Sequence, residues 1–551
     1  MIKRFLKKLP MLLLILLISF VLRIVNISDN PSAMYGDELT MLLDVNSILN
    51  SGYDTTGKFL PLNFTMGGGR PVGYGYFSLP FVALFGLSAL GIRLLSVISG
   101  VGIVWLVYLL SKRLFSKQIG LLSAFFLAIS PWDLSMSRGG FESHFALFLG
   151  LVMIVSFLYA NKKTWFYIIS ALGFGLSINS YSTYKFTLPV FLPLLVWFGG
   201  IKQTLVNVKT RAYLLFGGLI LFLFMLLLFF QAVSNNSESR FLSINIFSDN
   251  DIKTQVDQRL TEQNEFVLQN NKFTKLLHNR LWEYGLVFGK NYLNNFSPSF
   301  LFLEGDKNPR QNMTGMGELY IVQLILIFFG IGSLFKNKYS KEMVFLITWL
   351  FIAPIPASLI KDPHALRSSF MLPPLIILSA LGLYYLWTLR KIVLIKALFL
   401  GIIFGLIIQF IFIVENLYFI SPNKYSRFWS YPAKLATEIA LVNQKEYKYI
   451  FISDRIDNIE FAYTVYAGID LDKVSRKKSP SVYIGEYEFR KYDNVYLGPI
   501  PDSAAQKFLD GLSGSIMYIG PANDARYLSG GYSIIPGKDK QDALVIKVTN
   551  K

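Results

Sequence analysis

Cysteine is absent from the 551 residues, which excludes disulfides, thiolate metal sites and cysteine nucleophiles. Histidine is almost absent, and 3 residues are too few for a His-rich zinc site. Charge is scarce as well: 16% of residues are charged, against 53% hydrophobic. With a mean hydropathy of +0.44, this composition describes a chain embedded in a membrane rather than a soluble domain. Acids are scarcer than bases, 35 against 53, for a net charge of +18. In a soluble protein that excess would point to nucleic acid. Here the bases fall in short clusters between apolar runs, as the positive-inside rule expects, so the partner is lipid and not nucleic acid.

The opening MIKRFLKKLPMLLLILLISF has the basic and apolar parts of a secretory signal. VLRIVNISDN then offers no small-x-small cleavage site, so a retained signal anchor is expected as the first span. A crossing takes about 20 apolar residues for roughly 30 Å of hydrocarbon. Stretches near 9–27, 92–110, 118–133, 143–160, 164–181, 186–200, 212–233, 318–335, 342–360, 368–388 and 393–414 qualify, predicting about eleven spans. The segment YFSLPFVALFGLSAL (76–90) is short and holds Pro80 and Gly86, so it reads as an interfacial or re-entrant piece.

Orientation follows from charge. Lys3/Arg4/Lys7/Lys8, Lys112/Arg113/Lys117, Lys162/Lys163, Lys202/Lys209/Arg211, Lys336/Lys338/Lys341 and Arg390/Lys391/Lys396 all fall on the N-terminal side, which is expected to be cytoplasmic. The expected organisation is a polytopic, mainly α domain over 1–414, with outer loops at 28–91 and 234–317. An extracytoplasmic α/β domain follows over 415–551. Strand-like runs at 448–453, 494–500, 515–520 and 543–550, with a helical pattern at 457–467, support that second domain. No internal repeat of the kind many transporters show is visible.

The outer face collects the unusual residues. In GDELTMLLDVNSIL (36–49), Asp37, Thr40, Asp44 and Ser47 form one polar stripe on a helix otherwise apolar, expected to lie on the bilayer. Asp37 and Glu38 are adjacent and point about 100° apart, so they can serve different partners. Asp37 alone also reads as a helix cap. Arg138 and Glu142 sit at i, i+4 in SPWDLSMSRGGFESHFALF (130–148), as an ion pair or as a cation and carboxylate brought to the same mouth. Arg70, Lys185, His364 and Arg367 are outward cations against the positive-inside trend. Each reads singly as a snorkelling interface residue, and together with Arg138 they suit a lipid phosphate.

The first span followed by YGDE, then RLLSVISGVGIVWLVYLLSKRLF (93–115) and AISPWDLSMSRGGFE (128–142), resembles the C-type membrane glycosyltransferases (GT-C). The branch it resembles is that of protein O-mannosyltransferases and lipid A aminoarabinose transferases. NNFSPSFLFLEGDKNPRQNMTGMGELY (294–320) and DPHALRSSFMLPP (362–374) extend the resemblance over about residues 1–390. By resemblance, Asp37 takes the role of the acid acting on the acceptor, with Glu38 beside it, and Glu142 matches the second acid. Members often carry His or another base where this chain has Gln311-Asn312.

The resemblance implies transfer of a sugar from a polyprenyl-phosphate donor to an extracytoplasmic hydroxyl of a glycan, lipid or protein, at the plasma membrane. The residue types fit it: a base for the attacking hydroxyl, cations for the leaving phosphate, and no nucleophile, which suits direct inversion. The expected assignments are Asp37 as base, with Glu38 and Glu142 orienting the acceptor or holding a divalent cation. Arg138, Lys185 and Arg367 are expected to converge on the phosphate. A multispan transporter and an envelope glycan ligase or polymerase are the competing readings.

Overall fold

The computed structural model describes residues 10–65, 69–200, 208–233, 245–266, 279–336, 339–360, 363–469 and 481–550. Lys3, Arg4, Lys7, Lys8, Lys202 and Lys338 of the basic clusters lie outside these, as do 234–244 and 267–278 of the second outer loop.

The bundle opens with α1 (Met11–Ile24), α2 (Gly36–Ser51) and α3 (Gly73–Phe85). It continues with α4 (Ala89–Leu114), α5 (Lys117–Ala128), α6 (Pro131–Ser137) and α7 (Glu142–Tyr159). Next come α8 (Phe166–Ile178), α9 (Tyr184–Gly199), α10 (Val208–Val233), α11 (Asn250–Phe266) and α12 (Arg280–Asn294). Then α13 (Ile321–Lys336), α14 (Ser340–Ile352), α15 (Leu372–Thr388) and α16 (Val393–Glu415) complete it. Each of the expected spans falls on an apolar helix. By length and composition, six described helical segments can cross a bilayer, or seven with the bent α5–α6 pair counted as one. The expected eleven includes α1, α8, α9 and α13, which are shorter than a full crossing.

Local chemistry sets the breaks. Ser88 caps α4 by accepting from the Gly91 N–H at 3.1 Å, and Ser116 caps α5 by accepting from the Ile119 N–H at 3.3 Å. The expected span 118–133 is broken instead, bending by 57° between α5 and α6. Pro131 forces the preceding Ser130 to an extended ψ of 128°, so the helix cannot run on. The break turns α6 and the SRGGF loop across the end of the bundle.

After α16 the chain stays helical through Lys424, beyond the expected boundary at 414. The second unit holds α17 (Tyr431–Val442), α18 (Ile459–Tyr466) and a sheet. Two short strands in the first outer loop, β1 (Asn63–Phe64) and β2 (Arg70–Pro71), pair with each other. The sheet strands are β3 (Tyr449–Ser453), β4 (Ser481–Ile484), β5 (Tyr487–Tyr492), β6 (Val495–Gly498), β7 (Ser515–Pro521), β8 (Tyr532–Pro536) and β9 (Asp542–Asn550). Their order is β4-β5-β6-β3-β7-β9-β8, with β3 parallel to β6 and β7 and the other pairs antiparallel. The α/β reading of this domain is borne out, and β4, β5 and β8 add to the four runs visible in sequence.

The position of α2 differs from expectation. It does not lay one face on lipid: Leu39, Met41, Leu42, Leu43, Val45 and Ile48 are buried against α3 and α18, in a core continuous with Ile450, Ile452 and Tyr463 of the sheet domain. The middle of its polar stripe is buried too, since Thr40 and Asp44 face the turn after α2 and Arg70. The apolar face found a protein partner in the C-terminal domain, which no local pattern encodes.

Candidate active site

A cavity of about 270 Å³ lies among the loops expected to face outward. One wall is acidic. Asp37, in the first turn of α2, is 36% exposed there, and Glu142, the first residue of α7, is 10% exposed. Arg70, from β2, lies between them, 3.4 Å from the Asp37 carboxylate and 3.7 Å from that of Glu142. The guanidinium also donates to the Asp37 carbonyl at 2.8 Å and to Thr40 Oγ1 at 2.9 Å. Burial alone would lower the Arg70 pKa, but Asp37 and Glu142 outweigh it and hold it above its usual value.

Asp37 is not the helix cap. Tyr35 occupies the N-cap position of α2, and no side chain makes a cap bond there. The Tyr35 hydroxyl, at the edge of the cavity, has its pKa raised well above normal by burial first and by Asp37 and Glu142 next, and it stays neutral.

The other wall is cationic and comes from two loops. Asn308, Arg310 and Gln311 belong to one; His364, Leu366 and Arg367 belong to the other. Arg310 stacks over the Tyr35 ring, 5.0 Å from its centroid. Gln311 Nε2 and His364 Nε2 are in hydrogen-bond contact at 3.0 Å. The segments singled out by sequence tie these loops down. Trp132 Nε1 donates to the Ala365 carbonyl at 3.0 Å, and the Ala365 N–H donates to Asp306 Oδ2 at 2.7 Å. The Met313 N–H donates to Ser135 Oγ at 3.1 Å.

Asp37, Arg70, Glu142, His364 and Arg367 therefore line one cavity, and three expected members do not. Glu38 is fully buried on another face of α2, pairing with Arg93 through Nε–Oε1 at 2.7 Å and Nη2–Oε2 at 2.8 Å, and accepting from the Gly140 N–H. Arg138 makes no pair with Glu142. Its guanidinium turns away to the carbonyls of Leu22, Arg23, Val25 and Asn30, and stacks over Tyr418. The SRGGF turn leaves Arg138 outside the helix that begins at Glu142, so the i, i+4 spacing never becomes helical. Lys185 sits in the first turn of α9, beside the cavity's Ser182 and Thr183 but off its wall. Of Arg138, Lys185 and Arg367, only Arg367 lines the cavity.

Sequence reasoning missed Arg310 and Arg93. Arg310 sits in DKNPRQN, a polar outer loop where a base is as unusual as the others. Arg93 opens a span at its outer end, again against the charge trend.

A divalent ion bound by Glu38 and Glu142 does not fit, because Glu38 is committed to Arg93 and the two acids do not meet. Between Asp37 and Glu142 the position of a metal is taken by the Arg70 guanidinium. Among the described residues no group of three His, Asp or Glu side chains converges as a metal site.

Asp44 offers a pH test of α2. Burial lifts its pKa to about 6, against the bonds from Thr55 that lower it. The folded state therefore favours the protonated acid: this contribution to stability is full below the unfolded value near 4 and is lost as pH rises through about 6. Asp44→Asn keeps an acceptor for Thr55 and removes the buried charge. It should raise the unfolding temperature at about pH 7.5, by up to about 3 kcal/mol of stability, with the advantage gone by about pH 4. Equal melting of both proteins across that range would refute the assignment.

Residues 69–230 match the sequence model of the family described as dolichyl-phosphate-mannose-protein mannosyltransferase. No curated protein matches the chain in sequence. The crystal structure of ArnT from Cupriavidus metallidurans bound to undecaprenyl phosphate superposes with a TM-score of 0.54 at 11% identity, over 97% of each chain. The Archaeoglobus fulgidus oligosaccharyltransferase, in a complex with Zn and sulfate, aligns with a TM-score of 0.49 at 16% identity. That alignment takes in 82% of this chain but only 61% of the archaeal one, so the chain spans less than two thirds of that protein. The resemblance read from the motifs is thus borne out: nearly the whole chain has the GT-C fold of ArnT, and its residues 69–230 carry the sequence signature of the dolichyl-phosphate-mannose-protein mannosyltransferase family.

Proposed function

We propose that the protein is a glycosyltransferase that moves a sugar from a polyprenyl phosphate to an acceptor hydroxyl outside the plasma membrane, with inversion. The observation that carries this reading is the two-walled cavity, with carboxylates on one side and Arg310, His364 and Arg367 on the other. The acceptor oxygen attacks C1 of the sugar, and its proton passes to Asp37. The C1–O bond to phosphate breaks, and the electron pair stays on the phosphate oxygen. That phosphate needs no strong acid, because it leaves as a stable anion; it needs cations placed where its charge grows. Arg310 and Arg367 supply that charge, with His364 beside them on the same wall, while Arg70 orients the two carboxylates. The family description and the lipid phosphate bound by ArnT support a donor of this class. The one-sided basic clusters support outer loops on the extracytoplasmic side.

One experiment addresses activity and orientation together. In sealed right-side-out vesicles holding the protein, a labelled sugar should leave polyprenyl phosphate for a membrane-impermeant acceptor added outside. Transfer confined to inverted vesicles would reject the orientation. Absence of transfer in both preparations, with the label instead carried across the membrane, would favour a transporter.

A further inference from the structure

Among the described residues, the C-terminal domain places none on the wall of the cavity, yet it holds the chain immediately ahead of Asp37. The Met34 N–H donates to the Tyr466 hydroxyl at 3.0 Å, and Asn30 Nδ2 donates to the Leu417 carbonyl at 2.8 Å. Trp429 meets the Tyr35 ring edge-on, with centroids 5.3 Å apart. The closest approach is at Gly36, the first residue of α2. A Cβ built there would lie 2.4 Å from Asn458 Oδ1. Asn458 cannot yield easily. It caps α18 with a left-handed φ of 60°, and its Nδ2 donates to Ser430 Oγ at 2.9 Å and to Asp457 Oδ2 at 2.8 Å. One end of the carboxamide is fixed within the domain, and the other abuts the residue before Asp37.

From this we infer that the C-terminal domain sets the catalytic geometry, with Asn458 and Tyr466 as positioning residues that fix the first turn of α2 and so the Asp37 carboxylate. The inference rests on the transferase reading of the cavity. A base must come within about 2.6–3.2 Å of the proton it takes, and a displacement of about 1 Å can cost roughly 100-fold in rate. A helix whose first turn is wedged between the bundle and a second domain has little freedom to drift by that much. It also explains why α2 has a buried face toward α18 where lipid was expected.

The test uses Gly36→Ala in the full-length protein. Gly36 does not have a positive φ, and alanine is the better helix former, so the backbone itself welcomes the change. The three atoms nearest the added methyl all belong to Asn458. Turnover should fall roughly 10–100-fold with the KM for the polyprenyl-phosphate sugar unchanged, because the cationic wall is untouched. Gly36→Ala/Asn458→Gly removes the opposing carboxamide, and glycine suits that left-handed position, so the double variant should recover part of the loss but stay below wild type, because the contact that seats the first turn of α2 has gone as well. Should Gly36→Ala fail to fold, Tyr466→Phe provides the second handle: it leaves the Met34 N–H without its acceptor and should lower kcat about tenfold at constant KM. Wild-type turnover by Gly36→Ala, or a double variant no better than the single one, overturns the inference while leaving the transferase reading intact. A wild-type protein that moves no sugar removes both.

Discussion

Asp37→Asn should lower turnover roughly 10²–10⁴-fold, the usual contribution of a general base, while the protein folds and binds its donor normally. The substitution preserves size and one carbonyl oxygen but cannot accept the acceptor's proton. Two features make the result decisive. The N-cap of α2 is Tyr35 and Asp37 makes no cap bond, so the helix loses little when the charge goes. The cationic wall is built by separate loops, so lipid-phosphate affinity should stay near wild type. Single-turnover transfer with saturating donor reads the chemical step directly. Near-normal turnover by Asp37→Asn, with loss in Glu142→Gln, would move the base to Glu142, the other carboxylate beside Arg70.

Glu38→Ala should act on stability instead. Glu38 and Arg93 are both 0% exposed and meet in a bidentate pair. Removing one partner strands a buried cation and typically costs about 3–5 kcal/mol. The expected outcome is a sharp drop in yield and unfolding temperature in detergent. Glu38→Ala/Arg93→Met removes both charges and should regain part of the loss. Recovery stays incomplete because Arg93 also donates to the carbonyls of Ile27, Pro31 and Ala33, which would be left buried and unpaired. A Glu38→Ala protein that melts like wild type but has lost activity would place Glu38 in the chemistry after all.

These two neighbours show what was legible in advance. Their angular separation on a helix allows them different partners, and in the structure Asp37 lies beside Arg70 while Glu38, expected at the same site, pairs with Arg93. Which acid serves the cavity depends on where Arg93 and Arg70 arrive, from a span more than 50 residues away and from the β1–β2 hairpin. The same holds for the cations. Outward position identified Arg70, His364 and Arg367 as unusual, and they reach the cavity. It identified Arg138 equally well, but that side chain answers the unpaired carbonyls where α1 ends and the chain turns. Arg310 carried the same outward-base signal in DKNPRQN as the other cations, but nothing periodic or local tied it to Tyr35 and the cavity.

Composition and apolar periodicity, with no help from tertiary contacts, determined that this is a multispan helical membrane protein with a separate α/β domain at its C-terminal end. Transfer of apolar surface out of water and the charge bias of short loops act locally, so a linear pattern records them. The tertiary structure decided the rest: which carboxylate of the Asp37–Glu38 pair is spent on holding the fold, which cations meet, and that the helix bearing Asp37 is gripped by the C-terminal domain. A charge in low dielectric is stable only beside its partner, and partners distant in sequence are brought together by the packing of the whole chain.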